Sequence, residues 1–445
     1  MAIVSQDRFA EAKAHFHQLF EQDIEQLNGH AKQPLHELRR QALSGLNELD
    51  FPTRRDENWK YTNFNRALQL ELKEGTNLSS IDTNALDAFR LQDIAAVQLV
   101  FVNGIFDESL SKLEGLEEGI EVKLISEALA DAKHKDWIEA QFSKETDGNA
   151  ALTALNLGFA KNGLFIHVRK GVVSEQPIQL LHITSSKDYP LLLSPQLFVR
   201  VEANTQLSIV ETYDHLQNQN SYFSNGIARF YLGANAQVKH YRLQNESQDS
   251  FKVTNIDIVQ ERDSVYSGFT LDVGGRIVRN NLGAKHLHPG TETNMYGVYL
   301  GKKDQHIDNQ TFMDHAAAHC TSNELYKGIL ADKARGVFNG KVMVRKDAQK
   351  INAFQQNSSL VLSKTAIMDT KPQLEIYADD VRCSHGATIG QLDETSVFYL
   401  RSRGLTDEQA RALLQHAFIL EVLEFIAIDE LKEHAEQLIM KKFAE

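Results

Sequence analysis

The feature that most constrains the fold is a change of period. From about Phe165 to Leu400 apolar residues recur at every second position, in short β-branched and aromatic runs separated by polar turns. Half the chain therefore predicts all-β architecture. Two runs read as copies of one unit: VEANTQLSIVETY starts at Val201 and LGANAQVKHYRLQ at Leu232. Both carry A-N-x-Q, with Ala203 and Ala234 separated by 31 residues. Further on, LVLSKTAIMDTKPQLEIYADDVRC sets short apolar strands around Val361, Ile367 and Ile376. Such spacing suits the coils of a β-helix, because each coil buries its apolar face only by stacking on its neighbours. A β-sandwich also offers short strands, but its hairpins ask for Gly, Pro, Asn-Gly or Asp-Gly turns. With 7 prolines and little such punctuation, the chain favours the solenoid.

The ends keep the helical period. Phe9, Phe16, Leu19, Phe20, Ile24 and Leu27 form one stripe, and Leu35, Leu38, Ala42, Leu46 and Leu49 a second. Pro34 stands near the start of the second helix, where a missing N–H is harmless. FPTRRDENWKYTNF then breaks the pattern and reads as a surface turn anchored by Trp59 and Tyr61. At the other end Thr406 and Gln409 form a capping box, Leu413, Ala417 and Leu420 begin a stripe, and Leu431, Ala435, Leu438, Ile439 and Phe443 continue it in a further helix. That broad apolar face is either a cap docked on the β body or a handle for another protein. The expected organisation is a helical region at 1–95, a mixed connecting region at 96–164, the β-helix core at 165–400 and a helical region at 401–445.

Charge limits the partners. With 47 basic residues against 60 acidic ones, a net −13, a sequence-independent grip on nucleic acid is not expected, since that binding neutralises phosphates. The start lacks a basic segment followed by an apolar run, and no run approaches the roughly 18 apolar residues that span a bilayer. Cys320 and Cys383 are the only cysteines, which fits a reduced, cytoplasmic compartment.

Residues i and i+2 of a strand share a face, so Cys383 and His385 in DDVRCSHGATIG would be neighbours. They are either a packed strand, with Val381 on the same face, or part of a site for a soft metal or an activated thiolate. Two side chains do not close a tetrahedral site, so further ligands would come from elsewhere, most simply a second chain. MDHAAAHC is a weaker metal candidate through His315, His319 and Cys320, in text that reads as strands and turns. KHLHPG, with His286 and His288, reads as a polar turn. The chain has no phosphate-binding G-x-x-x-x-G-K-[ST] loop and no G-x-S-x-G elbow. An ATP site of its own is not expected.

HCTSNELYKGIL, QQNSSLVLSKTAIMDTKPQLEIYADDVRCSHGATIGQLDETSVFYLRSRGL and the helices that follow resemble the SufB/SufD family of iron–sulfur cluster assembly proteins, and FPTRRDENWKYTNF resembles an N-terminal motif of the SufD branch. The resemblance runs from about residue 50 to the end. It implies a right-handed parallel β-helix between helical terminal domains, and a non-catalytic subunit that pairs with a SufB-like scaffold. It further implies a SufC-like ATPase on the C-terminal helices, through Leu413, Leu420, Leu423 and Phe425. Iron or a transient cluster would sit at the shared interface, with His385 as the stronger contributor and Cys383 as the weaker. A flavin in the complex and a homodimer in the partner's absence are compatible with it. Where the SufB branch carries a cysteine in F-Y-C-x-x-R-G and a Glu after the family histidine, this chain has Leu400 and Gly386. That departure argues against the alternative of a SufB-like scaffold. A β-helix carbohydrate-active enzyme, the other alternative, would call for a carboxylate-lined groove and a secretion signal.

Overall fold

The computed structural model describes residues 9–27, 33–75, 86–91, 94, 97–144, 149–161, 163–186, 188–216 and 220–444. The β body is a solenoid of parallel strands in two facing sheets. One sheet orders the strands Leu164–Val168, Gln196–Val201, Tyr222–Leu232, Phe251–Gln260, Ile277–His286, His306–His315, Arg335–Val344 and Ile367–Thr370; the other runs from Val97–Val102 through Ile178–Thr184 to Ile351–Val361 and Val381–Gly390. The chain alternates between the sheets, so sequence-adjacent strands face each other and hydrogen bonding joins each strand to the one a coil later. The coil length is legible in the repeat: Gln206 and Gln237 of the two A-N-x-Q units are register partners. Mainly β architecture, parallel coils and flanking helices are thus as the sequence predicts.

The corners explain the repeat's chemistry. Asn204 and Asn235 have φ of 59° and 57°, and Asp263, Lys303 and Asp332 adopt the same left-handed conformation at other corners. Asn and Asp tolerate that region best among residues with a Cβ. Asn235 Nδ2 donates to Asn204 Oδ1 at 2.9 Å, tying one corner to the next. Inside, Gly297 and Gly328 stand opposite Tyr326 and Tyr299 across adjacent strands; a Cβ at either glycine would collide with the neighbouring ring.

Both outer faces are covered by helices. The helix Ala10–Gln26, the segment Phe51–Leu72 and the helix Ala150–Gly158 bury Phe16, Trp59, Phe64 and Leu155 against Phe223, Phe251 and Val253 of the first sheet. Pro34 occupies the first turn of the helix Pro34–Gly45, as expected. FPTRRDENWKYTNF is more than a surface turn. Trp59 is buried, its Nε1 donates to Asn149 Oδ1 at 3.2 Å, and the Arg279 guanidinium lies 3.8 Å over its ring. Thr62 donates to Asp308 and contacts His306 Nε2 at 2.8 Å, so the motif fastens the helical region to the solenoid. The intervening segment also interleaves with the β body, since Val97–Val102 pairs in parallel with Ile178–Thr184 and Lys73–Glu74 with Leu191–Leu192.

At the other end the helices Asp407–Leu423 and Asp429–Ala444 lie across the second sheet. Ile419, Val422, Leu423, Leu431 and Ile439 are buried against Val210, Tyr241, Phe269 and Val298. Thr406 Oγ1 accepts from the Gln409 N–H at 3.2 Å and Gln409 Oε1 from the Thr406 N–H at 2.9 Å, which is the capping box. Strand structure ends at Gly390 and the chain turns helical at Glu394–Ser402, capped by Asp393. Among the described residues no helix is long and apolar enough to cross a membrane.

Candidate functional site

The strand Val381–Gly390 is the last of its sheet and pairs only with Ile351–Val361. In that neighbour Ile351, Ala353, Gln355 and Asn357 are buried, and these alternate residues face the lumen. Their register partners are Val381, Cys383, His385 and Ala387. The same side of the sheet is therefore core in one coil and open in the next, because among the described residues no further coil closes the lumen. Cys383 is half-buried against the core and His385 is exposed. Burial pushes the Cys383 thiol above its usual range, with an opposing contribution from a hydrogen bond with the backbone of Ala353. A thiol in that setting is not an activated nucleophile.

Below His385 a polar column continues inward. Gln355 Nε2 donates to Glu324 Oε2 at 3.1 Å, and Thr311 Oγ1 donates to the same oxygen at 2.5 Å. Burial raises the Glu324 carboxyl to about 7, opposed by those two hydrogen bonds. Deeper still, His240 Nε2 meets Glu211 Oε1 at 2.5 Å and Tyr213 Oη donates to Glu211 Oε2 at 2.5 Å. Sequence reading missed Glu324, Gln355 and Thr311. The signal was available: Glu324 and Gln355 stand 31 residues apart as register partners, and Gln355 and His385 follow as the next pair.

The second candidate set is dispersed by the fold. His315 ends a strand and is buried, with Nδ1 3.1 Å from His286 Nδ1 and Nε2 2.9 Å from Ser322 Oγ. Burial depresses its pKa to about 4. His319 is exposed at a left-handed corner with φ of 59°. Cys320 is buried, with Thr291 Oγ1 donating to its sulfur at 3.0 Å. Strand and corner geometry sends His315 and His319 apart.

The apolar residues of the C-terminal helices divide into two groups. Leu413 and Leu420 are exposed. Beside Leu413 an open groove of about 520 Å³ is lined by Tyr399, Leu400, Leu414 and Ala417. Leu423, by contrast, is fully buried; Phe425, just beyond that helix, is 41% exposed and also stacks on Tyr296 with ring centroids 3.7 Å apart. The expectation that Leu423 meets a partner is corrected: it holds the helices on the solenoid.

A solenoid of parallel coils, clasped by helices at both ends and left open at a His-bearing strand, defines the class. The sequence models described as "SufBD protein N-terminal region" and "SUF system FeS cluster assembly, SufBD core domain" match residues 10–180 and 182–418. The chain belongs to the SufB/SufD family of the SUF iron–sulfur cluster assembly system, and within it is SufD-like. It is 29% identical to the iron–sulfur cluster assembly protein SufD of Escherichia coli over 94% of this chain and 93% of that protein. It is 28% identical to SufD of Bacillus subtilis over 92% and 94%. An iron–sulfur cluster assembly SufBD family protein of Synechocystis is 34% identical over 90% and 89%.

Proposed function

We propose that this chain is the non-catalytic member of a heterodimer, in which a SufB-like subunit extends the open sheet edge and His385 contributes a ligand to iron or a nascent cluster handled as cargo. The observation that carries the reading is the exposure of His385 on the lumen side of an edge strand, which pairs on one side with Ile351–Val361. An edge of ten residues is a template for another strand, and Phe398 and Tyr399, exposed beside it, supply apolar area. Cys383 sits deeper, and its elevated pKa favours a packing or auxiliary role. A SufC-like ATPase would use the exposed Leu413 and Leu420 and the groove next to them. The cytoplasm, reduced and supplied with ATP, is the matching compartment.

Anaerobic reconstitution of the co-expressed complex tests this, with wild type, His385→Ala and Cys383→Ala compared by absorbance and bound iron. Loss of iron in His385→Ala with the complex still assembled supports the interface ligand. Full loading in both variants reduces the strand to a structural role.

A further inference from the structure

A second cluster of metal-ligating side chains lies far from the open end, where the connecting region meets the first coil. Glu121 in the strand Ile120–Leu124 and His167 in Leu164–Val168 are directly opposite each other in an antiparallel pair. His134, at the start of the helix Lys135–Phe142, completes the group. One ligand atom from each lies within 4.8 Å of the others. His134 Nε2 is 3.0 Å from Glu121 Oε2, and His167 Nδ1 is 3.8 Å from Glu121 Oε1. Both imidazoles are fully buried, and Glu121 retains a narrow exposure to solvent.

We propose that Glu121, His134 and His167 form a binding site for one divalent transition-metal ion of the zinc or ferrous class, with a remaining position open to water. Two imidazoles and a carboxylate are the donor set such ions take, at about 2.0–2.2 Å. Tetrahedral ligands at that radius stand about 3.3 Å apart; His134 Nε2 is 3.0 Å from one Glu121 oxygen and His167 Nδ1 3.8 Å from the other, so the carboxylate faces both imidazoles at close to that spacing. The outer contact of His167 also fits. His167 Nε2 lies 3.0 Å from Glu202 Oε1, a carboxylate partner that fixes the proton on Nε2 and turns the Nδ1 lone pair inward. That Nδ1 is buried and has no hydrogen-bond partner, which is unusual for a ring nitrogen unless something else occupies it.

The competing occupants are side-chain cations. Lys133 Nζ and Arg169 Nη2 lie 3.0 and 2.8 Å from Glu121 Oε1, and Lys123 Nζ is 3.4 Å from Oε2. Burial raises the Glu121 carboxyl, but hydrogen bonds from Lys133, Arg169 and His134 outweigh it and hold the group ionised. Lys133 and Arg169 are 48% and 56% exposed, so both heads can withdraw into water when an ion enters. Asp131, whose Oδ2 is 3.9 Å from His134 Nε2, stands near enough to bind an added water.

The test is titration of the chelator-stripped full chain with Co²⁺, followed by ligand-field absorption and by displacement with Zn²⁺, in a His385→Ala background that removes the exposed histidine of the open end. One Co²⁺ per chain is expected, lost on His134→Gln or His167→Gln. Glu202→Gln should weaken binding about tenfold through the outer contact. Joint Lys133→Ala and Arg169→Ala keeps every ligand and should tighten binding; unchanged or weaker affinity there overturns the proposal. Absence of Co²⁺ bands, or bands that survive both histidine substitutions, overturns it as well.

Discussion

Gln355 and His385 are register partners on the same side of adjacent strands, yet Gln355 is 3% exposed and His385 lies open to solvent. One coil separates a side chain locked to Glu324 from one exposed to solvent. The end of the solenoid, not any local feature of the sequence around His385, makes the difference.

An added strand should be sensitive to charge at this edge. Ile389 is 52% exposed on the strand Val381–Gly390. Ile389→Lys is expected to weaken association with a SufB-like subunit by at least about tenfold, which is about 1.4 kcal/mol. Sedimentation or calorimetric titration checks this, and the isolated chain's melting temperature should not move.

Glu324 should set a pH dependence opposite to that of an ordinary carboxylate. Its folded pKa is raised to about 7 from 4.5, so the folded chain keeps a proton that the unfolded chain releases. Stability then falls as pH rises from about 4.5 to about 7 and is flat above. Burial pushes His306 and His315 down to about 4, and their contribution is lost instead as pH falls from 6.5 toward 4. Glu324→Gln isolates the first effect. It should raise stability at pH 8 by a value on the order of 3 kcal/mol and flatten the neutral limb of the curve, read by denaturant unfolding at several pH values.

Trp59 fastens the N-terminal helices to the solenoid through its buried ring and the Arg279 guanidinium. Trp59→Ala is expected to cost about 3–5 kcal/mol and to leave the Arg279 guanidinium held by Asp308 and Asn281 without its ring contact. Limited proteolysis should then cut before residue 75 while the coils stay protected.

Leu413 and Leu423 belong to one helix and should nonetheless behave differently. Leu413→Asp, at an exposed position, is expected to abolish capture of a SufC-like ATPase with little change in stability. Leu423→Ala, in the buried face, should cost about 2–5 kcal/mol. Pull-down from a co-expression strain together with thermal melts separates the two.

The coils were legible because the repeat carries its own chemistry. Ala203–Asn204 and Ala234–Asn235 mark successive corners, and left-handed corner residues recur about once per coil whatever the strands contain. The terminal helices were legible through Pro34 and the Thr406–Gln409 box. The docking of Trp59 was not, since Arg279 and Asn149 are 220 and 90 residues away and no local pattern pairs them. The buried state of Leu423 escaped for the same reason: a helical stripe shows which residues share a face, but not which part of that face meets the sheet. Glu121 and His167 pair across an antiparallel register in a segment that carries no strong period, so their meeting with His134 was visible only in three dimensions.

The unfinished edge at Val381–Gly390 has a consequence for dosage. On the proposed pairing, a chain made in excess of its partner leaves one edge of that ten-residue strand open, and another surplus copy offers the same edge. Such copies would sequester one another or be cleared, so the proposed pairing would require synthesis of the two subunits to be matched in time and amount. Translation from a shared message would meet that need more simply than any later quality control.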